Sequence, residues 1–131
     1  MVASAAIVLA LGVAHLVYTF SGPKLTPRDP SLILSMSATS PVLTTETTIW
    51  KMWVGFNASH SMGAILFGLI YGYLAVVRHD VLFTSPFLMV VGLVMLGGLA
   101  VLGKLYWFSI PFRSICVSFV CYVASYVGSR V

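Results

Sequence analysis

Charge is what this chain has least of: only 8% of its 131 residues are Asp, Glu, Lys or Arg, where soluble domains carry about 25%. Three acidic residues face seven basic ones. The basic residues are scattered and form no Lys/Arg cluster, so there is no electrostatic footprint for nucleic acid. Cysteine is limited to Cys116 and Cys121. On one helix these are turned from each other by roughly 140°, so they make neither a disulfide nor a metal pair and read as small buried residues. The chain also lacks a phosphate-cradling glycine loop, a nucleophile elbow and an HExxH motif.

What it has instead is apolar sequence. Hydrophobic residues make up 60% of the chain, and its mean hydropathy is +1.04. A soluble domain this small leaves too large a share of its surface in water to hide that much apolar area. A bilayer removes the difficulty. The expectation is one transmembrane domain over residues 1–131: an all-α, integral membrane four-helix bundle with a long, partly helical first loop.

The segments are legible. Residues 2–20 are almost wholly apolar, and about 20 such residues cross the hydrocarbon core. This stretch lacks the basic start and small-residue cleavage site of a signal peptide, so it is expected to remain. Gly22-Pro23 ends it. The loop 21–47 contains a cap-plus-proline signal at Asp29-Pro30. A short helix is expected from there to Ala38, with Leu32, Ile33 and Met36 on the membrane surface or on the bundle. Thr44 or Thr45 caps the next segment and places Glu46 in its first turn, where the helix dipole favours an anion. The apolar part runs over 48–77, with Trp50 and Trp53 at the interface. Arg78-His79-Asp80 closes it, and a loop over 78–85 is expected to follow. Ser85-Pro86 starts a third span, 86–105, and a fourth runs over 111–128. Tyr106, Trp107, Phe108 and Phe112 between them read as an aromatic belt.

With four spans, the long loop and the 105–112 link share one side of the membrane. Lys24, Arg28, Lys51, Lys104 and Arg113 lie near that side, against Arg78 and Arg130 on the other. The bias of basic residues therefore leans toward the long loop in the cytoplasm. Ala64, Gly68 and Gly72 repeat every four residues, and Gly92, Gly97, Gly98 and Gly103 thin the third span, as tight helix packing requires. Ser114, Ser118, Ser125 and Ser129 offer small polar contacts on the fourth.

His15 and His60 are the informative residues, because ionisable groups inside a membrane face the interior or water and are functional candidates by default. Both lie near the helix ends joined by the long loop, so they share a membrane side and a depth. Asn57 precedes His60 by three residues and shares its side of the helix; Ser61 follows it. Lys104, Arg113 and Glu46 are expected at the same end. His15, Asn57, His60, Ser61, Lys104, Arg113 and Glu46 are thus the candidate ligand-binding residues. Paired histidines also raise a b-type haem held by His15 and His60, or a divalent metal on His15, His60 and Glu46. No spacing signature selects either, and the cofactor stays open.

The phrases HLVYTFSGPKLTPRDP, SPVLTTETTIWKMWVGFNASHSMGA and LFGLIYGYLA, centred on Gly55–Ser61, resemble a family of small, uncharacterised bacterial four-helix membrane proteins. The resemblance covers about half the chain. It implies a multi-pass protein of the bacterial inner membrane and brings no activity, cofactor or site residue with it.

Two functions follow as expectations. One is a polar pocket around His15 and His60 for an amphipathic molecule such as a lipid, quinone or isoprenoid. As an enzyme it would use His60 as acid or base, with Asn57 orienting it. The other is an accessory or assembly subunit of a larger membrane complex, or a homo-oligomer, with membrane-protein partners and no activity of its own. A transporter or channel fits less well, because four spans enclose little pore. The loop over 29–48 is expected to close over the two histidines.

Overall fold

The computed structural model describes residues 1–130. Six helices appear in order: α1 Val2–Phe20, α2 Pro30–Ala38, α3 Ile49–Val77, α4 His79–Thr84, α5 Pro86–Tyr106 and α6 Ser109–Gly128. There is no strand among the described residues. Four helices, α1, α3, α5 and α6, are long and apolar enough to cross a membrane. The chain has the make-up of a multi-pass membrane protein.

Local chemistry explains the boundaries. Asp29 accepts the Ser31 N–H and Pro30 occupies the first position of α2, where its missing N–H costs nothing. Ser85 caps α5 in the same way by accepting from the Leu88 N–H, with Pro86 next. Gly22 takes φ +82° just after α1, a left-handed turn that glycine adopts without strain.

Three expectations need correction. Residues 79–84 form α4 rather than a plain loop; Leu82 is fully buried and supplies the burial that a six-residue helix needs. The fourth span starts at Ser109, not 111, because Pro111 falls in the first turn and removes no intrahelical bond there. Most consequential is α3, which begins at Ile49 with no acidic residue in its first turn. Thr48 caps it, its hydroxyl accepting from the Lys51 N–H at 3.4 Å. Thr44 instead holds a local turn by accepting the Glu46 N–H at 3.1 Å. Glu46 is therefore a loop residue that does not meet the helix dipole.

The chain divides into two compact units, Met1–Leu11 with Ala64–Val131, and Gly12–Gly63. The first holds the apolar core. A Cβ at Gly68 would come within 2.9 Å of the Ala5 carbonyl oxygen and the Leu9 Cα, so α1 and α3 meet there backbone to backbone. At Gly92 a Cβ would collide with the Tyr122 hydroxyl, because the Tyr122 ring lies against the glycine. That hydroxyl donates to the Met89 carbonyl at 2.9 Å, and the Tyr71 hydroxyl donates to the Leu88 carbonyl at 2.6 Å. Ser118 donates to the Ser4 carbonyl at 3.0 Å and accepts from the Ser4 hydroxyl at 2.8 Å. Each buried hydroxyl thus has a partner, as an apolar surrounding demands. Cys116 and Cys121 are free thiols.

Candidate functional site

The second unit, residues 12–63, contains the end of α1, the connection with α2, and the start of α3. His15 lies on α1, one turn before Thr19, whose hydroxyl donates to the His15 carbonyl at 2.8 Å. Asn57 and His60 lie on α3, three residues apart, which puts them on neighbouring positions of one face. Asn57 is buried and both histidines are half-buried.

The orientation of Asn57 is set by its own helix. Its Nδ2 donates to the Trp53 carbonyl one turn back, at 2.8 Å. Since the amide nitrogen is spent there, Oδ1 is the end that faces α1, and it lies 2.9 Å from His15 Nε2. Oδ1 can only accept, so Nε2 carries the proton and the neutral His15 ring has its acceptor at Nδ1. The His60 ring meets the His15 ring edge-on, with centroids 5.6 Å apart and planes at 80°. Phe56 stacks on the other side of His60 at 6.1 Å and 11°. Ser61, fully buried, donates to the Asn57 carbonyl at 2.7 Å and so serves the helix rather than the histidines.

Beside this cluster is a cavity of about 10 Å³ lined by Tyr18, Thr19, Leu25, Thr26, Trp50, Trp53, Val54 and Asn57. That is room for about one water molecule, not for a lipid or quinone head. Its cover is the turn after α1: the Trp53 indole N–H donates to the Leu25 carbonyl at 3.0 Å. The segment 29–48, expected to form the lid, does not do so through α2, which buries none of its residues.

Three candidates remain. Glu46 is exposed in the loop. Lys104 and Arg113 belong to the other compact unit and are exposed, with the Lys104 ammonium 5.7 Å from the centre of the Phe112 ring. Among the described residues no three His, Cys, Asp or Glu side chains gather as a metal site needs. Axial ligation of a haem between His15 and His60 does not fit either, since the two rings touch edge to face and Nε2 of His15 is turned to Asn57.

No family model, curated protein or solved structure matches this chain. The functional reading therefore rests on the site itself. Two of its members, Trp53 and Phe56, escape a reading that looks only for ionisable groups. Their signal is positional: each stands four residues before the polar group it serves, Asn57 and His60 respectively, one helical turn away.

Proposed function

We propose that this multi-pass membrane protein, of the bacterial inner membrane as its sequence resemblance implies, binds the polar head of an amphipathic molecule at His15, Asn57 and His60. The observation that carries the reading is the His15–Asn57 hydrogen bond at 2.9 Å with His60 against it: three polar side chains from two apolar helices converge, two of them still half-exposed. A cavity of about 10 Å³ holds no ligand body, so the head docks on the flank of the helix pair and the tail stays in the bilayer. A lipid, quinone or isoprenoid has that form. The test is native mass spectrometry of the protein in mild detergent. A co-purifying amphipathic molecule on the wild type that is lost from His60→Ala supports the reading; identical bound species on both refutes it.

One observation favours a second reading, an accessory subunit. Gly55, Ser59 and Gly63 recur every four residues on α3, are all exposed, and nothing lies within 4 Å of a Cβ at either glycine. Small residues so spaced let a helix from another chain approach. The same experiment separates the two: a protein partner or second copy that leaves on Ser59→Leu, with no small molecule bound, selects the subunit.

A further inference from the structure

The connection between α1 and α3 has an apolar content that the protein does not bury. In α2 no residue is buried; Leu34 is 72% exposed and Leu32 48%. Past the helix, Leu43 is 92% exposed and its neighbour Val42 is wholly exposed. Residues 30–43 contain no charged side chain, while Lys24, Arg28 and Asp29 stand before them and Glu46 and Lys51 after them. In water such a segment would be expected to carry charge or to fold its leucines inward.

Its position says what covers it. Residue 20 ends one candidate span and residue 49 begins the next, so everything between is tethered at one membrane–water interface. The start of the connection bears interfacial marks of its own. Lys24 lies 3.8 Å over the Tyr18 ring, and Trp53 bonds the Leu25 carbonyl. Tyrosine and tryptophan with a lysine beside them are the residues that settle at the headgroups.

We infer that residues 30–43 are a membrane-embedded in-plane element, which inserts Leu34, Val42 and Leu43 into the lipid leaflet where α1 and α3 emerge. The charged residues at its two ends stay among the headgroups. Ile33 and Met36, both half-buried, turn toward the protein. Asp29 caps the helix with its carboxylate bonded to the Ser31 N–H and hydroxyl, both at 2.8 Å. Ser31 and Ser35 satisfy their hydroxyls locally, Ser35 by donating to the Ser31 carbonyl at 3.0 Å, which lowers the cost of insertion. A helix lying in the interface plane with apolar side chains at the acyl boundary is a recognised way of seating a protein in one leaflet; here the charge stands at the ends of the segment rather than on the helix.

Spin labels on the full chain test this. Leu34→Cys and Leu43→Cys, made with Cys116 and Cys121 replaced by serine, are labelled in phosphatidylcholine nanodiscs, with Arg28→Cys as reference. Leu32→Cys and Val42→Cys replace either of the first pair that fails to fold. Collisions with oxygen should exceed those with a water-soluble nickel complex several-fold at 34 and 43, with the ratio reversed at 28. Nickel accessibility at 34 and 43 equal to that at 28 places the segment in water and overturns the inference. Labels shielded from both reagents show a protein cover, a second copy or another chain, and overturn it as well.

Discussion

The two compact units hold themselves together by different means. In the unit formed by residues 1–11 and 64 onward, every buried hydroxyl described above ends on a backbone carbonyl or another hydroxyl, and two glycines admit a neighbour at contact distance. Nothing in that network can change charge near neutral pH. In residues 12–63 the link between helices is a histidine bonded to an amide, with a second histidine against it. Tyrosine and serine serve packing where they are closed off. The half-buried histidines keep polar ring atoms within reach of the surroundings. On the proposed reading, the first unit serves stability and the second holds the ligand.

The largest effect should come from breaking the packed unit. Gly68→Val forces atoms into the Ala5 and Leu9 backbone, which cannot step aside as a side chain can. Overpacking of this kind costs about 1–3 kcal/mol or more, and thermal unfolding in detergent should show a clear fall in midpoint. Gly55→Ala, placed where nothing lies within 4 Å, should instead leave the midpoint unchanged or raise it, since alanine is the better helix former by about 1 kcal/mol. Equal losses at the two glycines would end the distinction between units.

Next comes Tyr122→Phe, which removes the bond to the Met89 carbonyl while keeping the ring against Gly92. A loss of about 1 kcal/mol is expected, read from the same unfolding curves, with no effect on bound amphipathic molecules. Asn57→Leu is the mirror image. Hydrogen bonds between membrane helices average about 0.6 kcal/mol, so its unfolding midpoint should move little, while the bound species seen by native mass spectrometry is lost. A variant that unfolds as readily as Gly68→Val would make Asn57 a structural residue.

The smallest effect concerns α2. Asp29 is held below its ordinary value, first by the Ser31 hydroxyl bond and then by the Ser31 N–H. A carboxyl with a depressed value stabilises the folded form above its ordinary range and loses that contribution as pH falls through the folded value. Amide protection at the start of α2 should therefore be flat from neutral pH down to the ordinary carboxylate range and decline below it. Asp29→Asn, which keeps an acceptor that does not ionise, should abolish that pH dependence.

Much of the fold was legible because its signals are local. Runs of apolar residues of bilayer length, and proline placed after Asp29 and Ser85, locate helices without reference to the rest of the chain. The meeting of His15 with Asn57 and His60 was legible for a related reason: a connection that returns the chain to the same membrane face brings equal depths together. What failed depended on competition between neighbours. Thr44 and Thr48 are both capping residues, and only the packing of the first turn decides that Thr48 wins and Glu46 is left outside. The lid was not borne out in α2, which buries none of its residues, because apolar content alone does not say which neighbour will cover it. Helix α4 was missed because six residues are too few to display a period.

The amide of Asn57 has one more consequence. Its nitrogen is held by the Trp53 carbonyl one turn back, so its oxygen is the end that reaches His15 Nε2, and an oxygen can only accept. An amide turned the other way would set two donors against each other. A bond made wholly inside α3 therefore decides which tautomer of His15 the joint with α1 accepts.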